Sequence, residues 1–259
     1  MKEIILKGLR GLEKEKDIEI LFACESGSRA WGFHSPDSDY DVRFVYVHKK
    51  DWYLSIEDRK DFIDSPKDEL LDIVGYDLRK MLKLFRGSNA MIFEWIQSPI
   101  MYIRNEEFLS GLNNLVAEYY SGKSGLHHYL GLTRNTLENH LQSDKVKLKK
   151  YFYALRPMMA AMWIMRYNEC PPMEFAVLRS VFTNDQVNEK IDEFLKLKTI
   201  VGESYLIDPE PMLNLFVSEQ MAICEQYARQ LSVKRADADS LNLLFQRTSG
   251  FYDHSGIKR

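Results

Sequence analysis

The chain has 259 residues, of which 45% are hydrophobic and 28% are charged, and its 35 basic and 38 acidic residues leave a formal charge of −3. This length and composition fit one large or two modest globular domains, and they exclude a disordered chain, a collagen and a disulfide-rich miniprotein. The near-neutral charge also argues against a protein that coats nucleic acid unspecifically, although a local basic stripe remains compatible with it.

The sequence contains no run of about 18–20 apolar residues, so no membrane-spanning helix is predicted. The N-terminal residues lack the continuous apolar core of a signal peptide. The three cysteines, Cys24, Cys170 and Cys224, are far apart in the sequence and form no CxxC pair. We therefore expect a cytoplasmic protein with no membrane partner, no disulfide and no zinc site, while the pattern leaves the oligomeric state open.

The first hundred residues combine helix and strand patterns. Helical spacing of apolar residues predicts helices, β-branched runs predict strands, and clusters of turn residues predict loops. In chain order the predicted elements are a helix over 2–16, a strand over 18–24, a loop over 34–38, a strand over 41–47, a hairpin or long loop over 49–67, a strand over 70–74 and a helix over 78–85.

From about residue 106 onward, helical periodicity replaces the strand patterns. The clearest helix is predicted from five apolar residues that step by 4, 3, 4 and 3 positions: Leu148, Phe152, Leu155, Met159 and Met162. Thr183 or Asn184 is predicted to cap a later helix, and Asp208-Pro209 to open another. The last nine or so residues are predicted to fray. We therefore predict two domains, an α/β domain over 1–105 and a helical domain over 106–259.

The most informative segment lies between residues 25 and 41. Gly27 and Ser28 follow a buried strand, where a small residue lets backbone N–H groups approach a phosphate, and a helix starting there would favour an anion. Asp39 and Asp41 open the next strand, and residues two apart on a strand point to the same face. Two such carboxylates repel unless a cation lies between them, and Mg²⁺ takes oxygen ligands together with substrate phosphates.

An acid-x-acid pair is not specific by itself. Acidic residues make up 38 of 259 positions, so about six such pairs are expected by chance, and the sequence contains seven. The specific feature is the ordered set of strand, Gly-Ser turn, short helix, loop and Asp-x-Asp at the start of a strand. That set predicts a site for a metal-bound nucleoside triphosphate.

Gly27-Ser28 followed by Asp39-Tyr40-Asp41 resembles the signature of the DNA polymerase beta nucleotidyltransferase superfamily. The longer string GSRAWGF…SPDSDYDVRFVYV is similar to a bacterial and phage branch linked to RNA repair, and the resemblance extends over about residues 20–165. Further matching segments are Arg79-Lys80, Asn89, Glu94-Trp95 with Ser98, and Lys149-Lys150 through Arg156-Pro157 with Trp163. The resemblance implies an α+β fold, with a polymerase beta-like mixed sheet flanked by helices and followed by a helical C-terminal domain.

The resemblance also implies the site residues. Gly27 and Ser28 would hold the triphosphate, and three carboxylates would bind two Mg²⁺ or Mn²⁺ ions. Asp39 and Asp41 match the first two carboxylates. The third is Asp72, which lies among apolar strand residues, or alternatively Asp77, and we favour Asp72. The third carboxylate commonly serves as general base or metal ligand, where its position must be held closely.

A basic stripe is predicted on the long helix of the second half. Lys145, Lys149, Tyr153 and Arg156 lie on one face, because Lys149 and Arg156 differ by only about 20° at 100° per residue. This face is expected to contact triphosphate or a nucleic-acid backbone, and Arg29 beside the turn suits phosphate oxygens. A solvated charged face is the alternative interpretation of the same stripe.

These patterns and the resemblance together predict a metal-dependent nucleotidyltransferase, which transfers a nucleoside monophosphate from a nucleoside triphosphate to an acceptor hydroxyl and releases pyrophosphate. The resemblance to a branch linked to RNA repair favours an RNA 3′ end as the acceptor, with a protein or a small molecule left open. Two alternatives remain: a catalytically silent nucleotide-binding or antitoxin-like module, and a glycosyltransferase that holds a nucleotide sugar with Asp-x-Asp. The second would need a longer α/β region ahead of the pair than the 38 residues before Asp39.

Overall fold

The computed structural model describes residues 1–65, 70–232 and 236–250. The helices are α1 (Lys2–Lys16), α2 (Gly27–Trp31), α3 (Lys50–Tyr53), α4 (Leu78–Arg86), α5 (Ala90–Trp95), α6 (Glu106–Asn113), α7 (Val116–Tyr119), α8 (Gly122–His140), α9 (Leu148–Tyr167), α10 (Phe175–Leu178), α11 (Asp185–Lys198), α12 (Pro211–Ala228) and α13 (Asp239–Thr248), with a 3₁₀ turn at Arg179–Val181. The strands are β1 (Ile18–Ser26), β2 (Tyr40–His48), β3 (Phe62–Asp64), β4 (Leu71–Asp77), β5 (Met101–Arg104), β6 (Val146–Lys147) and β7 (Leu206–Ile207). Within the described residues, no helix combines the length and the apolar character that crossing a bilayer requires.

Most of the predicted elements are present, and several are longer than expected. Helix 2–16 is confirmed, and the strands predicted at 18–24, 41–47 and 70–74 correspond to β1, β2 and β4. The segment 49–67, predicted as a hairpin or long loop, contains α3 and the edge strand β3, which pairs antiparallel with β4. The strand β5 was not predicted, because its four residues are too few for a periodic pattern. Residues 66–67 of that loop and the C-terminal residues predicted to fray lie outside the described part of the chain.

Five strands form a mixed sheet in the order β3-β4-β2-β1-β5. β2 and β4 are parallel, whereas the other neighbouring strands are antiparallel. Helices flank this sheet, and the second half of the chain is almost entirely helical. The predicted α+β fold class, a mixed sheet flanked by helices and followed by a helical region, is therefore confirmed.

The chain divides into two compact units that are not continuous in sequence. The first unit comprises Met1–Gly27, Asp39–Tyr119 and Arg235–Arg259, and the second comprises Ser28–Ser38 and Tyr120–Lys234. This division differs from the single boundary expected at 105–106, because side-chain packing rather than chain order decides which unit a segment joins.

Aromatic contacts explain why segment 28–38 belongs to the second unit and why the late helix α13 belongs to the first. In the second unit, the Phe33 ring stacks on Phe152 at 5.0 Å and meets Phe175 edge-on at 5.4 Å, so the short segment 28–38 is packed among helices. In the first unit, Phe245 of α13 meets Tyr53 edge-on at 5.0 Å, which attaches this late helix to the sheet unit. Aromatic pairs of this kind add about 0.5–1.5 kcal/mol beyond their buried area.

One face of the five-stranded sheet is covered by α1. Its two buried residues, Ile5 and Leu9, lie one turn apart and pack onto the inward-facing residues of the strands. Those strand residues are Ile18, Ile20, Ala23, Val42, Phe44, Tyr46 and Ile73. Each fully buried aliphatic or aromatic side chain contributes about 1.5–3 kcal/mol. Because Val42, Phe44 and Tyr46 of β2 belong to this core, the alternate residues of β2 point away from α1.

The second unit is built around α8, α9 and α12. Pro157 lies inside α9 and removes the N–H that would bond to the Tyr153 carbonyl. The Thr136 hydroxyl of α8 donates to the Leu132 carbonyl oxygen of its own helix at 2.9 Å and also lies 3.4 Å from the Tyr153 carbonyl oxygen. The helices α8 and α9 pack closely at Gly125. A Cβ added to this glycine would lie only 3.0 Å from Ile164 of α9.

Candidate active site

Gly27, which follows β1 directly and begins α2, lies against the carboxylate of Asp41. Its φ is +63°, a conformation that favours glycine, and a Cβ built on it would lie only 2.1 Å from Asp41 Oδ2. Strand pairing causes this approach, because Ser26 on β1 is the register partner of Asp41 on β2. The turn predicted to bind phosphate and one predicted metal ligand are therefore neighbours in space.

Asp41 and Asp72 are also brought together by strand pairing. They are register partners on the parallel strands β2 and β4, so their side chains emerge on the same face. The Arg43 guanidinium lies between them, with Nη2 at 3.2 Å from Asp41 Oδ1 and at 3.0 Å from Asp72 Oδ2. Its Nη1 donates to the carbonyl oxygens of Val42 and Asp72. The three charged side chains are 18–25% exposed, so solvent reaches the cluster.

Arg43 was not among the site residues predicted from the sequence. A signal was present, because Arg43 stands two residues after Asp41 on a predicted strand and so shares its face. What the sequence could not supply was the position of Asp72, which depends on the register between β2 and β4.

Asp77, the alternative third carboxylate, lies at the other end of β4 and has a different set of partners. It caps the N-terminus of α4 by accepting a hydrogen bond from the Arg79 N–H at 2.8 Å, and the Tyr53 hydroxyl donates to its other oxygen at 2.7 Å. The side chain is 1% exposed, and this burial raises the pKa of Asp77 despite both hydrogen bonds. Five positions separate Asp77 from Asp72, so the two point to opposite faces of the strand. These observations favour Asp72.

Asp39 immediately precedes β2 and is half-buried. Across residues 1–65, 70–232 and 236–250, no group of three or more His, Cys, Asp or Glu side chains is arranged to hold a metal ion. The chemistry of the Asp41–Asp72 pair nevertheless fits a hard divalent cation. Both donors are carboxylate oxygens, both are reached by solvent, and both already share one cationic group, the guanidinium of Arg43.

Glu25 is a second residue near the site that was not predicted from the sequence. Its carboxylate is fully buried, accepts the Asp41 backbone N–H at 2.8 Å and also accepts a hydrogen bond from the Tyr102 hydroxyl. An acidic residue inside an apolar strand, two positions before the Gly-Ser turn, was the available signal. Its contact with the Asp41 backbone helps to hold that residue in place.

In the second unit, Ser28 and Arg29 lie in the short helix α2. The Ser28 hydroxyl, which is 5% exposed, donates to Ser38 Oγ at 3.3 Å. Arg29 Nη2 donates to the Ser38 carbonyl oxygen at 2.6 Å. Both residues therefore close the loop 28–38 on itself.

The basic stripe of α9 separates into an accessible and a buried part. Lys149 forms an ion pair with Glu203 at 2.6 Å. The placement of Lys145 on the same helix face was wrong, because Val146 and Lys147 pair with β7 as a short strand and α9 begins only at Leu148. Lys145 lies before that strand and pairs with Asp208 at 2.7 Å. Arg156 is 3% exposed, and its Nε and Nη2 donate to the Met173 carbonyl oxygen at 3.1 and 3.0 Å.

Trp31 of α2 packs against the buried end of that stripe. The guanidinium carbon of Arg156 lies 4.5 Å from the centre of the Trp31 ring, and Tyr153 meets the same ring edge-on at 6.0 Å. The second unit thus brings the stripe to the helix that contains Ser28 and Arg29. Arg156 contributes there by packing and by a backbone hydrogen bond.

Comparison with known proteins shows the family to which the chain belongs. Residues 1–247 match the RNA repair pathway DNA polymerase beta family. The protein YcgL of Bacillus subtilis (strain 168), itself uncharacterized, is 38% identical over 250 residues, which cover 96% of each chain. A solved structure of a nucleotidyltransferase-like protein from Exiguobacterium sibiricum 255-15 shares 10% identity over 96% of this chain and 81% of that chain, with a TM-score of 0.29, a likeness too low to support an argument. Because the family model matches residues 1–247, nearly the whole length, this chain belongs to the RNA repair pathway DNA polymerase beta family.

Proposed function

We propose that this protein is a metal-dependent nucleotidyltransferase that transfers a nucleoside monophosphate from a nucleoside triphosphate to an acceptor hydroxyl, with an RNA 3′ end as the favoured acceptor. The acceptor oxygen forms a bond to the α-phosphorus and loses its proton. The bond from the α-phosphorus to the β-phosphate bridging oxygen breaks, and pyrophosphate leaves.

The observation that supports the proposal most strongly is the contact of Gly27 with the Asp41 carboxylate next to the Asp41–Asp72 pair. This arrangement joins a turn whose backbone can approach a phosphate to carboxylates that can bind the cation accompanying it. Membership of a polymerase beta family agrees with this chemistry.

We assign Asp39, Asp41 and Asp72 as the metal-binding carboxylates. Two Mg²⁺ or Mn²⁺ ions, when bound, would neutralise phosphate charge and favour ionisation of the acceptor hydroxyl. Asp72 is the residue proposed to accept the proton, Glu25 holds the backbone of Asp41, and Arg43 orients the Asp41 and Asp72 carboxylates.

We assign phosphate contacts to the Gly27 backbone, Ser28, Arg29, Lys149 and Tyr153. Arg156 is left out of this set, because its guanidinium is buried and donates to the Met173 carbonyl. The catalytic gain would come from positioning and from neutralisation of charge, as in other phosphoryl-type transfers.

The choice of RNA as acceptor rests on the name of the family. The formal charge of −3 does not demand a nucleic acid, so the experiment has to identify the acceptor directly. Each of the four nucleoside triphosphates, labelled at the α-phosphate, would be incubated with Mg²⁺ or Mn²⁺, the protein and a short RNA. Pyrophosphate release would be measured in parallel.

We expect label on the RNA 3′ end, and no label with the Asp39→Ala/Asp41→Ala protein. Label on protein would change the acceptor while keeping the reaction class. Triphosphate binding without transfer to any of these acceptors would favour the catalytically silent module. If the wild-type protein neither binds nor turns over a triphosphate, the proposal is wrong.

A further inference from the structure

Glu203 is held by residues of the second unit that include a proposed phosphate contact. Its carboxylate accepts the Lys149 ammonium at 2.6 Å on one oxygen and the Ser38 hydroxyl at 2.7 Å on the other. Ser38 in turn accepts hydrogen bonds from the Ser28 hydroxyl and from the Ser35 N–H. The carboxylate of Glu203 therefore ends a hydrogen-bonded chain that begins at the Gly-Ser turn.

Lys198 adds a second positive charge near the Glu203 carboxylate. Lys198 is 2% exposed, and its ammonium donates to Ser35 Oγ at 2.7 Å. Burial lowers the pKa of Lys198, while the charge of Glu203 acts in the opposite direction. Burial alone would raise the pKa of Glu203, but the hydrogen bonds from Lys149 and Ser38 and the charges of both lysines hold it below its usual value. Glu203 is thus an ionised group in a cationic environment.

The backbone of Glu203 is fixed independently of its side chain. The Glu203 N–H donates to both carboxylate oxygens of Asp37, at 3.0 and 3.1 Å. The preceding residue, Gly202, lies so close to Asp37 that an added Cβ would be 2.8 Å from its Oδ2. The side chain can therefore rotate away while the loop keeps its position.

Exposure shows which groups the carboxylate covers. The side chains of Glu203 and Lys149 are each 22% exposed, whereas Ser38 is fully buried. Glu203 thus lies on the solvent side of Ser38. If its side chain swings out, an ammonium and a hydroxyl are left facing solvent, which is the donor set that binds a phosphate oxygen.

We propose that Lys149, Ser38 and the neighbouring Lys198 form a polyphosphate subsite, and that the Glu203 carboxylate occupies this subsite until a phosphate group displaces it. The identity of the natural ligand as a nucleoside triphosphate rests on the proposed function, whereas the competition between Glu203 and an inorganic polyphosphate does not. Glu203 then lowers the affinity for the ligand, because binding requires the loss of its ion pair with Lys149.

The test measures binding of inorganic tripolyphosphate to the full chain by calorimetry at low ionic strength, without metal. Glu203→Gln keeps the size and the hydrogen-bonding oxygen of the side chain but removes its charge, and we expect it to bind about tenfold more tightly than wild type. Lys149→Met should lose most of the binding in either background. Glu210→Gln is the matched control, because Glu210 pairs with Lys190 in the same unit and is 23% exposed; its affinity should equal that of wild type.

An unchanged or weaker affinity in Glu203→Gln, or no tripolyphosphate binding by either protein, overturns the inference. Thermal unfolding of each variant shows whether it is folded. If Glu203→Gln does not fold, Glu203→Asp replaces it, since the shorter carboxylate should lose the contact with Lys149 and also bind tripolyphosphate more tightly. Tight binding in the variant without any nucleotidyl transfer would contradict the proposed function alone, and transfer with an unchanged affinity would contradict this inference alone.

Discussion

Asp41 and Asp72 are 31 positions apart in sequence, yet they face each other across the parallel strands β2 and β4 as register partners. Their carboxylates share one guanidinium nitrogen of Arg43, at 3.2 and 3.0 Å. Two carboxylates on one face repel unless a cation lies between them. Arg43 supplies a cation between the two carboxylates, and this arrangement supports our proposal of Asp72 rather than Asp77 as the third carboxylate.

Asp72 and Asp77 offer a matched pair of substitutions. We expect Asp72→Asn to reduce nucleotidyl transfer by at least about 100-fold, in the range of lost general-base catalysis, with little change in the melting temperature. Asp77→Asn should retain most activity but lower stability by about 1 kcal/mol, because it weakens the cap of α4 and the hydrogen bond from Tyr53. Transfer assays and thermal unfolding of both variants check this, and the reverse pattern would assign the third carboxylate to Asp77.

Gly27→Ala should abolish activity. A Cβ at this position would lie 2.1 Å from Asp41 Oδ2, and the φ of +63° disfavours any other residue. The control is Gly131→Ala in α8, where nothing lies within 4 Å of the added Cβ, so stability should rise by up to about 1 kcal/mol. Activity of both variants, together with urea unfolding, tests the prediction. A fully active Gly27→Ala protein would contradict the close approach.

Arg43→Met should make the thermal stability of the protein more dependent on a divalent cation. Without the guanidinium, the Asp41–Asp72 repulsion is uncompensated, so the metal-free melting temperature should fall by about 2–4 °C per kcal/mol lost. Added Mg²⁺ should then raise it more than in wild type. Arg104→Met, which removes an exposed pair with Glu106, serves as the control and should change little. Equal Mg²⁺-induced shifts in wild type and Arg43→Met would contradict the idea.

Arg156 and Lys149 should differ in what their loss affects. Arg156→Met leaves the buried Met173 carbonyl without its donor and removes the contact with Trp31, so we expect a loss of about 2–4 kcal/mol in unfolding free energy. Lys149→Met should cost less than about 1 kcal/mol but weaken triphosphate binding. Denaturant titration and calorimetry on both variants separate the two effects, and a stable Arg156→Met protein with impaired binding would restore the sequence-based role for Arg156.

His48 predicts a pH dependence of stability. Burial, followed by the charge of Arg59, lowers the pKa of His48 from 6.5 to about 4, although Asp17 opposes the shift. The unfolded chain therefore takes up this proton first, so unfolding free energy should fall as the pH drops from 6.5 towards about 4. His48→Phe keeps a ring to stack on Trp52, which lies 3.9 Å away, and should show a shallower decline. Identical pH profiles for the two proteins would exclude a role for His48.

Local patterns were sufficient for most elements of the sheet unit. The strands β1, β2 and β4 and the helix α1 have strong hydrophobic periodicity, which is a property of neighbouring residues. The edge strands β3 and β5 were missed because they have three and four residues. Segment 28–38 joins the helical unit rather than the sheet unit for another reason: the Phe33 ring packs on Phe152 and Phe175, which lie more than a hundred residues away in the sequence.

The same distinction applies to the candidate site. Gly27, Ser28, Asp39 and Asp41 lie within fifteen residues, so the sequence by itself determined the turn and the acidic pair, and with them the family resemblance. Only the tertiary structure brought Asp72 beside Asp41, placed Arg43 between them, buried Arg156 and set Glu203 on Lys149. The physical reason is that spacing along a strand or helix follows from backbone geometry alone, whereas strand register and contacts between distant segments follow from how the whole chain packs.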